Sequence, residues 1–360
     1  MLTDLYLYQF KRFLNEHIEL FPLTLLTGIN GMGKSSVVQS LLILRQSFDR
    51  GDLQNHGRLI IDDVLANLIS PDDMLAADAI DTSVSFTLTD EQENNAKWSI
   101  EAKGKTNTLT TLVSEKNGNI YDSSLFASTF QYLNAERIGP RPSYERPTIT
   151  RHHSPVGYAG EFVANRILET INDEVKLDGV RVGNVTRVYD LISYWVSEII
   201  YTGSKVIIDG SDTSKINLEY TFKDQPNKRF NPVNIGFGFS YALPVIVAIL
   251  TAEPGSLLIV ENPEAHLHPK GQSRMGKLLA LAAESGLQIV AETHSDHLLN
   301  GIRVAVKHKE LNPIKTQIHF FTTGKDLKKL SFAIQKEGTL ERWPEGFFDE
   351  WDNRLTQLIE

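Results

Sequence analysis

Residues 28–36 read Gly-Ile-Asn-Gly-Met-Gly-Lys-Ser-Ser. Gly28, Gly33, Lys34 and Ser35 fall on the spacing G-x-x-x-x-G-K-S. In that pattern backbone N–H groups cradle a polyphosphate, the lysine reaches the β- and γ-phosphates, and the hydroxyl takes one Mg2+ position. Asn30, Gly31 and Ser36 belong to the same loop and its flank. A short β-favouring run, Leu23 to Thr27, precedes the loop, and an apolar stretch of helical length, Val37 to Phe48, follows it. Strand, glycine loop and helix in that order aim a nest of N–H donors at an anion.

A second set of chemical residues lies in the later part of the chain. Leu257 to Val260 reads as a buried strand that ends in a carboxylate, Glu261, the form of a Walker-B strand whose acid holds a metal or its water. Asn262-Pro-Glu-Ala-His-Leu-His-Pro269 follows directly. Gln288 to Ala291 is another short strand and runs into Glu292-Thr-His-Ser295. His294 therefore falls just past the C-terminal end of a strand, the edge where open α/β sheets bind ligands. Upstream, Asn234-Ile-Gly-Phe-Gly-Phe-Ser-Tyr241 leads into an apolar helical run, Ala242 to Leu250, with Pro244 expected in the first turn. Gly236, Gly238 and Ser240 would leave N–H donors facing an anion there, although a G-x-G on its own carries little weight.

The elements that position these residues follow from period and punctuation. Leu5 to Phe10 and His17 to Phe21 read as strands joined through Lys11-Arg12-Phe13. If they pair, Lys11 and Arg12 lie beside the phosphate loop, either touching base or phosphate or forming a solvated basic turn. Residues 50–81 are mixed and polar. From Ser83 the period becomes two, with Val84, Phe86 and Leu88, then Trp98, Ile100 and Ala102, then Leu109 to Ser114, the Asn117-Gly118 turn and Ile120-Tyr121. This predicts antiparallel strands joined by tight turns. Arg137, Arg141 and Arg146 share a loop stiffened by Pro140, Pro142 and Pro147, suited to a phosphate, to a partner carboxylate, or to nothing beyond a surface loop. Helices are expected over Glu161 to Glu174, Arg187 to Ile199 and Pro269 to Ser285, and strands over Lys205 to Asp209, Ile216 to Phe222, Gln317 to Thr322 and Lys329 to Gln335. No heptad run or repeat is present, so no long coiled-coil arm is expected. The expected division is a phosphate-loop lobe with an antiparallel subdomain over 1–125, a helical insert over 126–230, the glycine, acid and histidine motifs over 231–325, and an extension over 326–360.

Composition narrows the function classes. The 360 residues carry a net charge of −9, which argues against a globally basic nucleic-acid binder. The chain has no cysteine, which removes disulfides, thiolate zinc sites and cysteine nucleophiles. No apolar stretch is long enough to cross a bilayer and the start lacks a signal-peptide pattern, so a cytoplasmic protein is expected. His266, His268, His294 and His297 do not fall on a standard zinc spacing. Asp349, Glu350 and Asp352 read as a solvated helix face.

Together the motifs resemble the ABC-type ATPase heads of the overcoming-lysogenization-defect (OLD) class, relatives of the SMC and Rad50 heads. They resemble in particular the small prokaryotic AAA-labelled ATPases with Glu-x-Pro-Glu-Ala-His-Leu-His-Pro and Glu-Thr-His-Ser motifs, many of which sit in antiphage-defence operons. The likeness spans nearly the whole chain, including the tail Trp343-Pro-Glu-Gly-Phe-Phe-Asp349. It implies an α/β fold with a mixed sheet core, a Walker A helix, an antiparallel β-subdomain and a helical lobe. It implies ATP and Mg2+ as cofactors, Gly28 to Ser36 as Walker A, and Ser35 and Glu261 at the metal. Residues 235–240, with Gly236, Gly238 and Ser240, take the place of the signature loop in divergent form. Residues 265–268 become the D-loop region and His294 the switch histidine. Two such heads sandwich ATP, so a homodimer or higher oligomer is implied, acting on a separately encoded effector such as a nuclease. OLD nucleases carry a further C-terminal metal-binding domain, and only about sixty residues follow Leu299 here. A kinase or GTPase reading explains neither the glycine motif nor Glu-Thr-His-Ser.

One position departs from that family pattern. The residue after the Walker-B acid is usually a glutamate that polarises the attacking water, and here it is Asn262. An amide orients a water but cannot take its proton. Three readings are open: slow hydrolysis, as in a switch; a base supplied by Glu264 or His294; or ATP binding without turnover, as in a scaffold. A Rad50-like repair head is a further alternative, disfavoured by the acidic balance. Because phosphoryl transfer rests mainly on positioning and charge stabilisation, slow hydrolysis is the expectation. Asn262→Glu is accordingly expected to raise the steady-state rate of phosphate release, and an unchanged or lower rate would count against this role for Asn262.

Overall fold

The computed structural model describes residues 1–104, 106–147, 154–323 and 328–359. In chain order the elements begin with strands β1 (Leu2–Phe10), β2 (Phe13–Glu19) and β3 (Leu23–Gly28), then helices α1 (Lys34–Asp49) and α2 (Asp52–His56). Strands β4 (Arg58–Ile60), β5 (Ser83–Asp90), β6 (Asn95–Glu101), β7 (Thr108–Asn117), β8 (Gln131–Leu133) and β9 (Tyr144–Glu145) follow. Next come α3 (Val163–Glu169), α4 (Val188–Ile199), β10 (Ser204–Asp209), β11 (Lys215–Phe222), β12 (Gln225–Phe230) and α5 (Phe237–Leu250). The chain continues through β13 (Leu257–Glu261), α6 (Pro269–Glu284), β14 (Gln288–Glu292), α7 (Asp296–Lys307), β15 (Thr316–Thr322), β16 (Lys328–Phe332) and α8 (Glu350–Ile359). These fall into two compact units, Met1–Ser128 with Gln317–Phe332, and Thr129–Thr316 with Ala333–Glu360.

In the first unit six strands form an antiparallel sheet in the order β2-β1-β5-β6-β7-β4. The two-residue period explains it: Val84, Phe86 and Leu88 on β5 and Trp98 and Ile100 on β6 are fully buried, while Thr87 and Lys97 on the opposite face are not. The expected Asn117-Gly118 turn ends β7, and Gly118 takes the left-handed conformation. Ile120-Tyr121, expected to extend this sheet, instead begins a 3-10 turn over Ile120–Asp122. Its burial drives the difference: Ile120 is 1% exposed and Tyr121 packs between Phe48, Trp98 and Phe126, so the pair fills the core rather than lengthening an edge. Helix α1 is buried on most of its surface, and Arg45, 2% exposed, donates to the carbonyls of Leu125 (2.7 Å) and Ala127 (2.6 Å) while pairing with Asp49.

The β15–β16 hairpin belongs to the same unit, pairing Ile318 with Phe332 through to Thr322 with Lys328. Strand β16 ends at Phe332, short of the expected Gln335. Buried His319 accepts from or donates to Ser331 Oγ at 2.8 Å through Nδ1 and meets the carbonyl of Glu19 at 2.8 Å through Nε2. A carbonyl only accepts, so the proton of the neutral ring sits on Nε2.

In the second unit β14, β13 and β8 form a parallel array, with Leu257 opposite Gln288 and Ile259 opposite both Val290 and Tyr132. The interiors of β13 and β14, Leu257 to Val260 and Ile289 to Ala291, are apolar and buried, as parallel strands covered on both faces must be. A separate antiparallel group joins β10, β11 and β12, with β9 against β11. Strand β12 was not anticipated, because Gln-Pro-Asn-Lys-Arg-Phe is polar and almost wholly exposed. Helix α4 buries Leu191, Ile192, Trp195 and Ile199, and caps the edge of β10 through Tyr189 OH on the carbonyl of Val206 (2.8 Å) and Ser193 Oγ on its N–H (3.3 Å). Helix α3 is shorter than the expected 161–174, because Glu161 turns back to accept from the N–H groups of Tyr158 and Ala159. Helix α8 carries Glu350, whereas Asp349 accepts from the Gly346 N–H before it; the side chain of Asp352 lies outside the described residues.

Burial pushes the His319 imidazole down to about 4, helped by Lys329 and His17 and opposed by the Glu19 carbonyl. A depressed folded-state value means stability present above about pH 6.5 and lost as pH falls toward 4, because the unfolded chain binds the proton first. The upper bound is about 3 to 4 kcal/mol. Thermal unfolding from pH 7 to 4.5 is expected to show a steeper loss for the wild type than for His319→Gln.

Candidate active site

In the first unit β3 delivers the chain to Gly28, and α1 begins at Lys34 after Gly33, its N-cap at φ 110° and ψ −3°. Gly28, Gly31 and Gly33 all have positive φ (125°, 75° and 110°), a conformation that costs residues with a Cβ. Two of them also lack room. A Cβ at Gly28 would lie 2.0 Å from the Phe321 carbonyl oxygen, and one at Gly33 would lie 2.4 Å from the Phe13 ring, whereas Gly31 faces open space. The loop is therefore bent so that main-chain N–H groups at the start of a 16-residue helix face outward, where an anion is favoured. Lys34 is buried and donates to the carbonyls of Gly28 and Ile29, both at 2.9 Å, so its ammonium is parked on the loop it would serve. Asn30, Gly31 and Ser35 are exposed and Ser36 is buried.

The Lys11-Arg12 turn does lie against this loop, as pairing of β1 with β2 requires. Arg12 Nε donates to the Gly31 carbonyl at 3.0 Å. Lys11 instead donates to Gln39 Oε1 on α1, and burial pushes its ammonium down, with Asp73 opposing. Phe13, 2% exposed, packs against Phe321 and seats Gly33.

In the second unit β13 ends at Glu261. One carboxylate oxygen accepts from Tyr132 OH at 2.7 Å, and the Glu261 carbonyl accepts from Arg137 Nη2 at 2.6 Å. Asn262 turns left-handed at φ 45°, its N–H donating to the Glu292 carbonyl at 2.8 Å and its carbonyl accepting from Arg137 Nη1 at 3.0 Å. Glu264 Oε1 accepts the backbone N–H of His294 at 2.9 Å. The His294 side chain is exposed just past β14, where Ser295 caps α7 by accepting from Leu298 N at 3.0 Å. Desolvation raises both Glu261 and Glu264; Tyr132 and Arg137 oppose the first shift, and the His294 N–H leads the opposition to the second. Burial pulls Arg137 down to about 10, with Glu264 and Glu261 opposing. Among the described residues, Asn262 Oδ1, Glu264 Oε2 and Arg137 Nε are buried with no hydrogen-bond partner. Such atoms are costly unless something else satisfies them.

The glycine motif opens α5, five residues earlier than expected. Gly236 is its N-cap in extended conformation, and a Cβ at Gly238 would lie 2.9 Å from the His266 carbonyl oxygen. Ser240 is buried with Oγ unpartnered. Pro244 is consequently inside the helix, not in its first turn, and has no N–H to offer the Ser240 carbonyl four residues back. Phe237 is 53% exposed and leans on Tyr241 and His266. His268 caps α6, its Nδ1 accepting from Lys270 N at 3.3 Å.

The arginine loop follows neither reading as a whole, and only Arg141 sits as a surface-loop residue would. Arg137 is buried at the end of β13, Arg146 donates to the carbonyls of Gly210 and Asp212, and Arg141 is exposed. Tyr132 was not singled out from the sequence, and Arg137 was weighed only for a phosphate or a partner carboxylate, because nothing in Tyr-Leu-Asn-Ala-Glu-Arg marks which side chain turns inward toward Glu261.

The donor types fit ATP and Mg2+. In the first unit the loop offers main-chain N–H groups and an ammonium for phosphate and the Ser35 hydroxyl as an oxygen donor; in the second, taken by itself, Glu261 offers a carboxylate, and oxygen is the ligand type Mg2+ prefers. Gly33→Ala is expected to cut affinity for a fluorescent ATP analogue at least ~10-fold, since its Cβ collides as well as straining φ. Gly31→Ala is expected to cost about 1 kcal/mol of stability and to keep the loop's shape.

Residues 23–300 match the family described as AAA domain, putative AbiEii toxin, Type IV TA system. Residues 311–358 match a family described as protein of unknown function (DUF3696). No curated protein matches the chain. Among solved structures, the chain is similar to an Smc head bound to the C-winged helix domain of ScpA, at 15% identity over 93% of this chain and 98% of that one, with a TM-score of 0.53. It is also similar to an Smc head domain with an extended coiled coil bound to the C-terminal domain of ScpA derived from Pyrococcus furiosus, at 11% identity over 100% and 99%, with a TM-score of 0.56. At these identities the likeness is one of fold, the expected α/β fold of an ABC-type ATPase head. The first family spans most of the chain, and the protein belongs to it: the AAA-domain family described as a putative AbiEii toxin of a Type IV TA system.

Proposed function

We propose that the protein binds ATP·Mg2+ and hydrolyses it slowly, as a dimerising switch that controls a separately encoded effector in prokaryotic antiphage defence. The observation that carries the nucleotide part is the phosphate loop, whose glycines hold left-handed turns at the start of α1 with Lys34 folded onto it. Lys34 would exchange its two carbonyl partners for phosphate oxygens, a stronger charge-assisted bond. Asn30, Gly31, Gly33, Ser35 and Ser36 would contribute the surrounding contacts, and Arg12 would brace the loop from outside. Ser35 and Glu261 would hold the metal, which supplies charge neutralisation at the phosphates when bound.

Asn262 would orient the attacking water. Glu264, with one oxygen fixed by the His294 N–H and the other unpartnered, is the better placed of the two candidate bases, and His294 would answer to the γ-phosphate. The start of α5, where Gly236 and Phe237 are exposed and Gly238 and Ser240 are buried beneath them, would meet the nucleotide of a second copy. Support for the defence setting is the toxin–antitoxin wording of the family description and the motif likeness to OLD-class ATPases. The effector reading rests on that likeness alone.

Phosphate release and mass measurement with and without ATP·Mg2+ test this. Expected are slow turnover and a nucleotide-dependent doubling of mass, with Lys34→Ala losing at least ~10-fold in affinity along with both behaviours. ATP binding and dimerisation without phosphate release would favour the scaffold reading, and wild-type affinity in Lys34→Ala would overturn the proposal.

A further inference from the structure

We propose that Arg137 is a positioning residue for hydrolysis, its guanidinium gripping two consecutive carbonyls so that the turn after β13 presents Glu261, Asn262 and Glu264 in their working arrangement. This rests on the ATPase reading above and adds a residue to it.

The geometry is specific. Successive carbonyls of a strand point in opposite directions. For the carbonyls of Glu261 and Asn262 to meet one guanidinium, at 2.6 and 3.0 Å, the chain must break that alternation between them. Asn262 does so at φ 45°, a conformation that asparagine tolerates better than most residues but that still costs free energy. The Asn262 carbonyl also accepts from Ala265 N at 3.1 Å, so one oxygen closes the Asn262-Pro-Glu-Ala turn and receives the arginine.

A guanidinium is suited to this task for two reasons. Its planar fork delivers two N–H groups in fixed relation, which an ammonium does not. It also keeps its charge when buried, and Arg137 is 3% exposed. Burying a cation against carbonyls alone is expensive. The carboxylates of Glu261 and Glu264 are the nearby charges that offset the cost, and the guanidinium in turn allows both to be held in a buried place. The same segment clamps the side chain of the acid as well, since Tyr132, five residues before Arg137, donates to Glu261 at 2.7 Å. Backbone and carboxylate of Glu261 are thus held by one stretch of chain.

The test uses full-length Arg137→Lys and Arg137→Gln. Each is assayed for melting temperature, affinity for a fluorescent ATP analogue, kcat, ATP KM and the Mg2+ concentration giving half-maximal turnover. Expected is a kcat lower by ~10- to 100-fold with ATP affinity within about twofold of wild type, because every phosphate-loop residue is intact. The Mg2+ requirement rises, and Arg137→Lys does not restore the rate because it keeps charge without the fork. A folded variant with unchanged kcat, or one losing kcat and ATP affinity together, would overturn the role. Failure of both variants to fold would also overturn it, in favour of a purely architectural arginine. Absence of phosphate release in the wild type would defeat the ATPase reading itself, a result distinct from turnover that is indifferent to residue 137.

Discussion

Buried cations held by main-chain carbonyls are the interaction on which much of this structure depends. Lys34 rests on Gly28 and Ile29, Arg45 on Leu125 and Ala127, and Arg137 on Glu261 and Asn262. In each case one side chain ties together two carbonyls, at the end of a strand for Gly28 and Glu261 and in an irregular segment for Leu125 and Ala127. Hydrogen bonds to charged groups contribute about 1.5–3 kcal/mol each, and the cost of leaving either partner unmet is larger than the gain from the bond. Two of the three segments so held, the glycine loop before α1 and the turn after β13, are those proposed to carry the chemistry.

Holding a loop with a cation also sets its electrostatics. The Lys34 ammonium rests on two carbonyls of the glycine loop, so under the proposed role binding would exchange weak acceptors for strong ones rather than move charge from solvent. Around Glu261 the situation is reversed. Two carboxylates are disfavoured by burial; the Tyr132 phenol and the Arg137 guanidinium work against that shift at Glu261, and the His294 N–H leads the opposition at Glu264.

Much of the fold was legible in the sequence because it rests on short-range rules. The two-residue period from Ser83 marks β5 and β6, and the apolar runs at Leu257 and Gln288 mark buried parallel strands. Exceptions arose where tertiary contacts overrule local pattern. Ile120-Tyr121 has β propensity, yet the aromatic cluster of Phe48, Trp98 and Phe126 claims it as core. Polar β12 becomes a strand because β11 offers it a ladder. The start of α5 moved upstream because Gly238 packs against the His266 carbonyl, a contact between residues far apart in the chain.

For the site, the sequence alone determined the phosphate loop, since the spacing of Gly28, Gly33, Lys34 and Ser35 encodes a local backbone shape that needs no distant partner. It also determined that an acid would end the strand at Glu261 and that an amide would follow. The tertiary structure decided which groups stand around that acid. Tyr132 and Arg137 reach Glu261 across more than a hundred residues of chain, and a backbone N–H at His294 selects one oxygen of Glu264. Such pairings depend on which strand lies beside which, and on which arginine of several is turned inward. Residue order does not express that information, because the free energy that sets it comes from burial shared among distant segments.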